Sequence, residues 1–274
     1  MPAVGSVEEV LRRQRDAFDL VYLHRLANAE AYGGLARAWQ TRARLLYSVA
    51  DLHHVRLARQ AAVQGTLELA AEARLVRGRE LAAMRGCDVV LTHSPAEAAY
   101  LARAATGAAV HVVPWPAVPQ RPRLPMIARR DMAFIGGFRH APNADALRWL
   151  AEAVLPRVWA RLPALRCFIV GADWPAPPSW SEDARLQMVG PLDDLASLFN
   201  TVRLTVAPLR FGAGLKGKVL ASLAAGVPCV MTPVAAEGLE LAGPLAELVV
   251  EGAEALAARI VRLHEDQRLN AACG

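Results

Sequence analysis

The most constraining part of this sequence is residues 204–241, LTVAPLRFGAGLKGKVLASLAAGVPCVMTPVAAEGLEL. The apolar run at 204–207 reads as a buried strand, followed by a glycine-bearing loop and a helix that opens near Lys216. A second strand at 227–231 leads into a turn that ends at Glu237 and Gly238. Strand, glycine loop and helix in that order form an anion-binding layout, because the first turn of a helix offers free N–H groups and a partial positive charge. Gly212 and Gly214 lack the Cβ that would hold an anion off the backbone. The chain has 31 basic residues, and its only lysines, Lys216 and Lys218, both fall in this segment. A slim ammonium is therefore kept where arginine is otherwise the default cation.

Two nucleotide-binding templates overlap here and both fail. Gly212, Gly217 and Lys218 match a P-loop, but Val219 stands where a Ser or Thr hydroxyl would hold magnesium. Gly212, Gly214 and Gly217 match the dinucleotide fingerprint, yet four residues separate the strand from the first glycine. The next strand also ends Met231-Thr232-Pro233, without the acidic residue that binds ribose.

The third match is a resemblance. The segment from Pro208 to Leu239 resembles the donor-site segment of retaining GT-B glycosyltransferases (glycosyl transferases group 1, family-4-like). Residues 132–150, MAFIGGFRHAPNADALRWL, resemble the first strand, glycine turn and helix of that group's C-terminal domain, and residues 186–192 resemble the segment beside its nucleotide base. The parts occur in the family's order. The resemblance implies an α/β fold with two Rossmann-like domains facing a cleft, the first one abbreviated. It further implies sugar transfer, with retention of configuration, from a UDP- or GDP-linked nucleotide-sugar to a glycan, lipid-linked or small-molecule acceptor. The nucleotide-sugar is then a substrate, and neither a cofactor nor a metal is implied. Two other readings stay open: a catalytically silent nucleotide-binding homologue or partner subunit and, third, an NAD-dependent oxidoreductase.

Composition accommodates this. With 54% hydrophobic and 21% charged residues the chain is globular, and 274 residues suffice for two domains with separate cores. The net charge of +5 suits anionic substrates and equally peripheral contact with anionic lipid headgroups, and no nucleic-acid motif accompanies it. Cys87, Cys167, Cys229 and Cys273 form no C-x-x-C pair, so neither a disulfide framework nor a zinc site is expected. No apolar run has membrane-spanning length and no signal-peptide core is visible, so a cytoplasmic location is expected; the oligomeric state is not legible.

Along the chain, strands at 18–24, 43–49, 87–92 and 109–113 alternate with helices at 26–39, 55–84 and 95–105, after a first helix at 6–17. Ser94-Pro95-Ala96-Glu97 has the form of a capping box. Proline at every second or third residue of 114–125 predicts a stiff connector. The expected division is 1–117 as a partial acceptor-side domain, 118–130 as linker and 131–274 as the donor-binding domain. In the second half, strands are expected at 132–135, 165–170, 186–189 and 248–250, with helices at 143–159 and 253–269. The glycine-rich opening strand usual in the family has no counterpart in residues 1–17, so the first domain is expected to be incomplete.

Each candidate residue carries two readings. Lys216 opens a helix behind two glycines, as a phosphate ligand would, and its bland reading is a solvated first-turn lysine. Lys218 lies about 200° further round the helix and is as readily a surface residue. Arg210 follows a strand's C-terminal end, where open α/β sheets bind ligands, or is one more surface arginine. Gly136 and Gly137 either let the donor pass close by or make a tight turn; His140 and Asn143 share the following junction, where Asn143 is equally a helix cap. Glu237 could bind hydroxyl groups or cap a turn. Asp51 and His53 follow a strand end and are candidates for orienting sugar, or are a helix cap and a surface histidine. The resemblance adds two departures: relatives carry an Arg and a Lys near the places of Gly137 and Asn143, and a glutamate near that of Ala221.

Overall fold

The β-branched and leucine-rich runs form parallel strands, the central ones buried on both faces, and the alanine-rich segments between them form covering helices. The computed structural model describes residues 5–104, 107–119, 124–174 and 183–274. The chain divides into two units, Met1–Trp115 with Ala213–Leu215, and Pro116–Gly212 with Lys216–Gly274. Part of the proline-rich connector (120–123) and most of the proline- and tryptophan-rich loop (175–182) lie outside the described residues.

The first unit runs α1 (Val7–Arg13), β1 (Leu20–His24), α2 (Leu26–Trp39), β2 (Arg44–Ser48), α3 (His53–Gln64), α4 (Leu67–Arg85), β3 (Val89–Thr92), α5 (Pro95–Arg103) and β4 (Ala109–Val112). Its sheet is parallel in the order β1-β2-β3-β4. Leu45, Tyr47, Val49, Val90 and Leu101 are fully or almost fully buried in its core. The single helix expected over 55–84 is two helices. Gly65 ends α3 with φ +67°, a left-handed conformation that a side chain would resist, and α4 starts at Leu67. Ser94 caps α5 as expected, its hydroxyl accepting from Glu97 N–H at 3.3 Å.

The second unit runs β5 (Asp131–Ile135), α6 (Ala141–Trp149), α7 (Leu155–Trp159), β6 (Cys167–Val170), β7 (Leu186–Gly190), α8 (Ala196–Phe199), β8 (Val202–Ala207), α9 (Gly217–Ala224), β9 (Cys229–Met231), α10 (Pro233–Ala236), α11 (Ala253–Glu265) and α12 (Gln267–Ala272). Its parallel sheet has the order β7-β6-β5-β8-β9. From β5 the chain winds outward through β6 to β7, then returns to place β8 on the other side of β5. The winding direction thus reverses between β5 and β8, and such a switch point opens a crevice at the strands' C-terminal ends.

Three expectations fail here for local reasons. The helix expected over 143–159 begins at Ala141 and passes through a wide π turn, Leu150–Val154, because Pro156 cannot donate to the carbonyl four residues back. The strand expected at 248–250 is one isolated bridge, Met231 to Val249, after a 3-10 turn, Gly243–Leu248. The last helix stops at Glu265, where the Asp266 side chain accepts from Arg268 and Leu269 N–H and starts α12.

Candidate functional site

The switch point of the second sheet is bordered by the loop after β5 and the loop after β8. The first is built on close backbone packing. A Cβ on Gly136 would fall 2.6 Å from the Asn143 side chain, and one on Gly171 would fall 2.2 Å from the Gly136 carbonyl oxygen. No side chain larger than hydrogen fits at either position. Trp174 donates its indole N–H to the same Gly136 carbonyl at 2.9 Å, and its ring packs against Phe134 and Phe138.

Asn143 is buried and does not cap its helix. His140 occupies that position, and its carbonyl accepts from Asn143 N–H at 2.8 Å. The Asn143 amide donates to the Gly137 carbonyl at 3.0 Å and its Oδ1 accepts from Lys218 Nζ at 2.6 Å. The solvated reading of Lys218 is thereby corrected: its ammonium turns inward, 4.9 Å from the centroid of the Phe134 ring. Burial, and after it the neighbouring charge of Lys216, push its pKa down to about 8.

Lys216 is the N-cap residue of α9, with only 6% of its side chain exposed, so it is not a solvated first-turn lysine. Its Nζ lies 3.9 Å from Glu237 Oε2, and its side chain passes Gly212, where a Cβ would come 3.6 Å from Lys216 Cε. Glu237 immediately follows α10, whose cap is the Thr232 hydroxyl; that hydroxyl also donates to the Leu209 carbonyl at 2.6 Å and ties the loop after β8 to the end of β9. Gly214 adopts φ +68°, the left-handed turn that favours glycine.

Gly136, Gly137, Asn143, Gly212, Lys216 and Glu237 therefore border one switch point, joined by Lys218. Arg210 is engaged elsewhere in this unit: Nε donates to Asp145 Oδ2 at 2.8 Å, Nη2 donates to Asp145 Oδ1, and the guanidinium lies 5.9 Å from the Trp149 ring centroid. His140 contributes its backbone to α6, with the residue exposed. Asp145 and the inward turn of Lys218 escape sequence reasoning, because spacing on one helix cannot show which side chain of another helix will meet it.

In the first unit, Asp51 and His53 are a contact pair, Nε2 of His53 lying 3.3 Å from Asp51 Oδ1, while Arg56 Nε donates to Asp51 Oδ2 at 3.1 Å. Burial alone would raise the Asp51 pKa, but the bonds and charges of His53 and Arg56 outweigh it and hold the carboxyl below its ordinary range. Hydrogen bonding to Asp51 raises His53. Beside this pair lies a buried group that the sequence did not disclose. Glu80, 1% exposed, accepts from His53 N–H at 2.9 Å and His54 N–H at 3.2 Å and bonds the His54 ring through Nδ1. His54 Nε2 is 2.8 Å from the Tyr100 hydroxyl, and Glu97 accepts from Leu52 N–H at 3.0 Å and from the Thr92 hydroxyl at 2.8 Å. Two carboxylates thus cover the free N–H groups that open α3. Among the described residues no group of three or more His, Cys, Asp or Glu side chains is arranged to hold a metal ion, and no helix is long and apolar enough to cross a membrane.

Comparisons with known proteins point the same way. The model of the family described as glycosyl transferases group 1 matches residues 129–266, just over half of the chain. No curated protein sequence matches. Among solved structures, the chain is similar to sucrose-phosphate synthase from Thermosynechococcus elongatus, with 19% identity and a TM-score of 0.70 over 93% of this chain and 66% of that one. It is also similar to HepE from Anabaena, solved with UDP and glucose, with 14% identity and a TM-score of 0.66 over 99% and 76% of the two chains. TarM matches with 11% identity and a TM-score of 0.72 over 96% and 52%. The chain thus spans between about half and three quarters of the length of these structures. The α/β units, their parallel sheets and these neighbours define a GT-B-type fold, and the chain belongs to the glycosyl transferases group 1 family.

Proposed function

We propose that this protein transfers a sugar from a nucleotide-sugar donor to an acceptor with retention of configuration, and that the second unit binds the donor. The observation that carries this reading is the placement of two partly or fully buried ammonium groups, Lys216 and Lys218, at the start of α9, the helix that follows β8 at the β5/β8 switch point. The tight turn at Gly136 and Gly137 sets the backbone along which the donor's phosphates would run. Lys216 and Lys218 balance the charge that develops on the departing diphosphate, work that a divalent cation does in other phosphate-transferring sites. Glu237, beside Lys216, is placed to accept hydrogen bonds from hydroxyl groups of the ribose or sugar. UDP is the favoured nucleotide because HepE was solved with UDP-glucose, and GDP is the alternative. The acceptor is a glycan, a lipid-linked or a small-molecule hydroxyl compound, with Asp51 and His53 of the first unit orienting it.

A thermal-shift series with UDP, GDP, NADH and Mg-ATP, paired with an assay for nucleoside diphosphate release from UDP- and GDP-sugars, tests this. Stabilisation by UDP or GDP together with donor turnover is the expected result, and Lys216→Ala removes both. Stabilisation by NADH alone would instead identify an oxidoreductase. Nucleotide binding without any turnover across an acceptor panel would identify a silent binding subunit.

A further inference from the structure

Opposite the switch point, at the N-terminal edge of the second unit's sheet, lies a groove of about 660 Å³. Because β5 is five residues long, the two edges are separated by about 17 Å of strand, so this groove is distinct from the donor site. Arg130, Arg161, Arg166, Arg203 and His264 line it, and Asp131 is its one carboxylate. That carboxylate is already committed. Arg166 donates to both of its oxygens, at 3.2 and 2.6 Å, and the Arg166 backbone N–H donates to it at 3.1 Å. Among the described residues no carboxylate stands within ion-pair distance of Arg130, Arg161 or Arg203.

The cationic excess extends below the groove. Arg203 donates to the carbonyls of Arg129 (2.6 Å) and His264 (2.7 Å), and His264 Nε2 bonds the Arg130 carbonyl. These bonds fix the groups in place but supply only carbonyl dipoles. Arg129, 5% exposed, has a buried Nε without a hydrogen-bond partner, while its Nη1 donates to the Val202 carbonyl at 3.2 Å. Burial first, and then the neighbouring arginine, lowers the pKa of Arg129 and of Arg203. Positive charge is therefore concentrated around a cavity and left unmatched, which is the state of a site whose anion is not part of the chain. Guanidinium forks suit tetrahedral phosphate oxygens, the volume lies within the range of small-molecule pockets, and exposed Ile127 with Leu162 adds an apolar wall.

We propose that this groove binds a small phosphorylated molecule, held by Arg130, Arg161 and Arg203, at a site separate from the donor's. The test is calorimetric titration of inorganic pyrophosphate into the full chain at constant ionic strength. Lys216→Ala weakens the donor site and leaves a second class of binding intact. Adding Arg130→Ser and Arg161→Ser to that variant weakens the remaining binding by about tenfold or more, as expected when charged hydrogen bonds are lost. Both arginines are exposed, so the variants are expected to fold, which circular dichroism melts check. Should the serine variants not fold, Arg161→Lys on the Lys216→Ala background keeps the charge but removes the fork, and a weakening of severalfold is expected. The proposal is overturned if Lys216→Ala alone abolishes all binding, or if the arginine substitutions change the residual Kd by less than about twofold.

Discussion

Lys218 Nζ lies 2.6 Å from Oδ1 of Asn143, bridging α9 to the start of α6 across the switch point of the second sheet. The bond joins the two helices that follow the loops flanking the proposed donor site, through one charged group whose pKa is depressed to about 8. Asn143 is a neutral acceptor, so it orients the ammonium without cancelling its charge.

Donor affinity should therefore depend on pH. The ammonium is lost as pH rises through about 8, so UDP binding weakens above that value and the weakening disappears in Lys218→Met. Stability moves the other way. The folded pKa lies below the ordinary lysine value of 10.5, so between about 8 and 10.5 the unfolded chain holds more protons and stability rises with pH. Calorimetry with UDP at pH 6.5 and 9.5 checks the first effect, and urea melts at pH 7.5 and 10 check the second. A UDP affinity equally pH-dependent in Lys218→Met would remove Lys218 from the site.

Gly171→Ala should damage the same loop from beneath. Its Cβ would stand 2.2 Å from the Gly136 carbonyl oxygen and 2.9 Å from Gly137 N, contacts that only a backbone shift can relieve. A destabilisation of about 1–3 kcal/mol is expected, with weaker nucleotide binding because the glycine turn moves. Urea unfolding measures the first quantity and UDP titration the second. Gly78→Ala is the control, since its Cβ meets nothing within 4 Å.

Glu80→Ala strips two backbone N–H groups at the start of α3 and the His54 ring of a shared acceptor. Leaving buried donors unpaired should cost about 3 kcal/mol, read from the shift in urea midpoint. A loss below about 1 kcal/mol would show that solvent satisfies these groups instead.

The Asp51–His53 pair gives a titration signature. His53 sits above its ordinary value and Asp51 below, so the pair's contribution is complete between the ordinary values of 3.8 and 6.5. It is lost as pH rises through the folded pKa of His53 and as pH falls through that of Asp51. In Asp51→Asn the His53 ring resonances, followed by NMR, should titrate at lower pH. An unchanged midpoint would mean that the contact does not persist in solution.

The architecture was legible in the sequence because its causes are local and periodic. Apolar runs of strand length separated by alanine-rich helical segments specify two parallel α/β units, and α2 occupies the expected 26–39 span. Ser94 and Pro95 mark the start of α5 because a cap acts within four residues. Glycines and lysines between residues 212 and 218 mark the loop proposed to receive phosphate, again through spacing within a few residues. Breaks within helices were harder to read: Gly65 and Asp266 each interrupt a continuous apolar pattern by a single backbone conformation or side-chain cap.

What the chain order alone determined, then, was where most of the strands and helices form, and which glycine-bearing loop to propose as an anion site. Only the tertiary structure decided that Lys218 faces Asn143, that Arg210 is held by Asp145, that Glu80 covers the start of α3, and that arginines from distant segments surround one groove. These pairings join residues 26 to 75 positions apart. A local pattern carries no information about partners so distant; strand order and helix packing bring them within bonding distance, and burial then makes the Glu80 and Lys218 pairings energetically consequential.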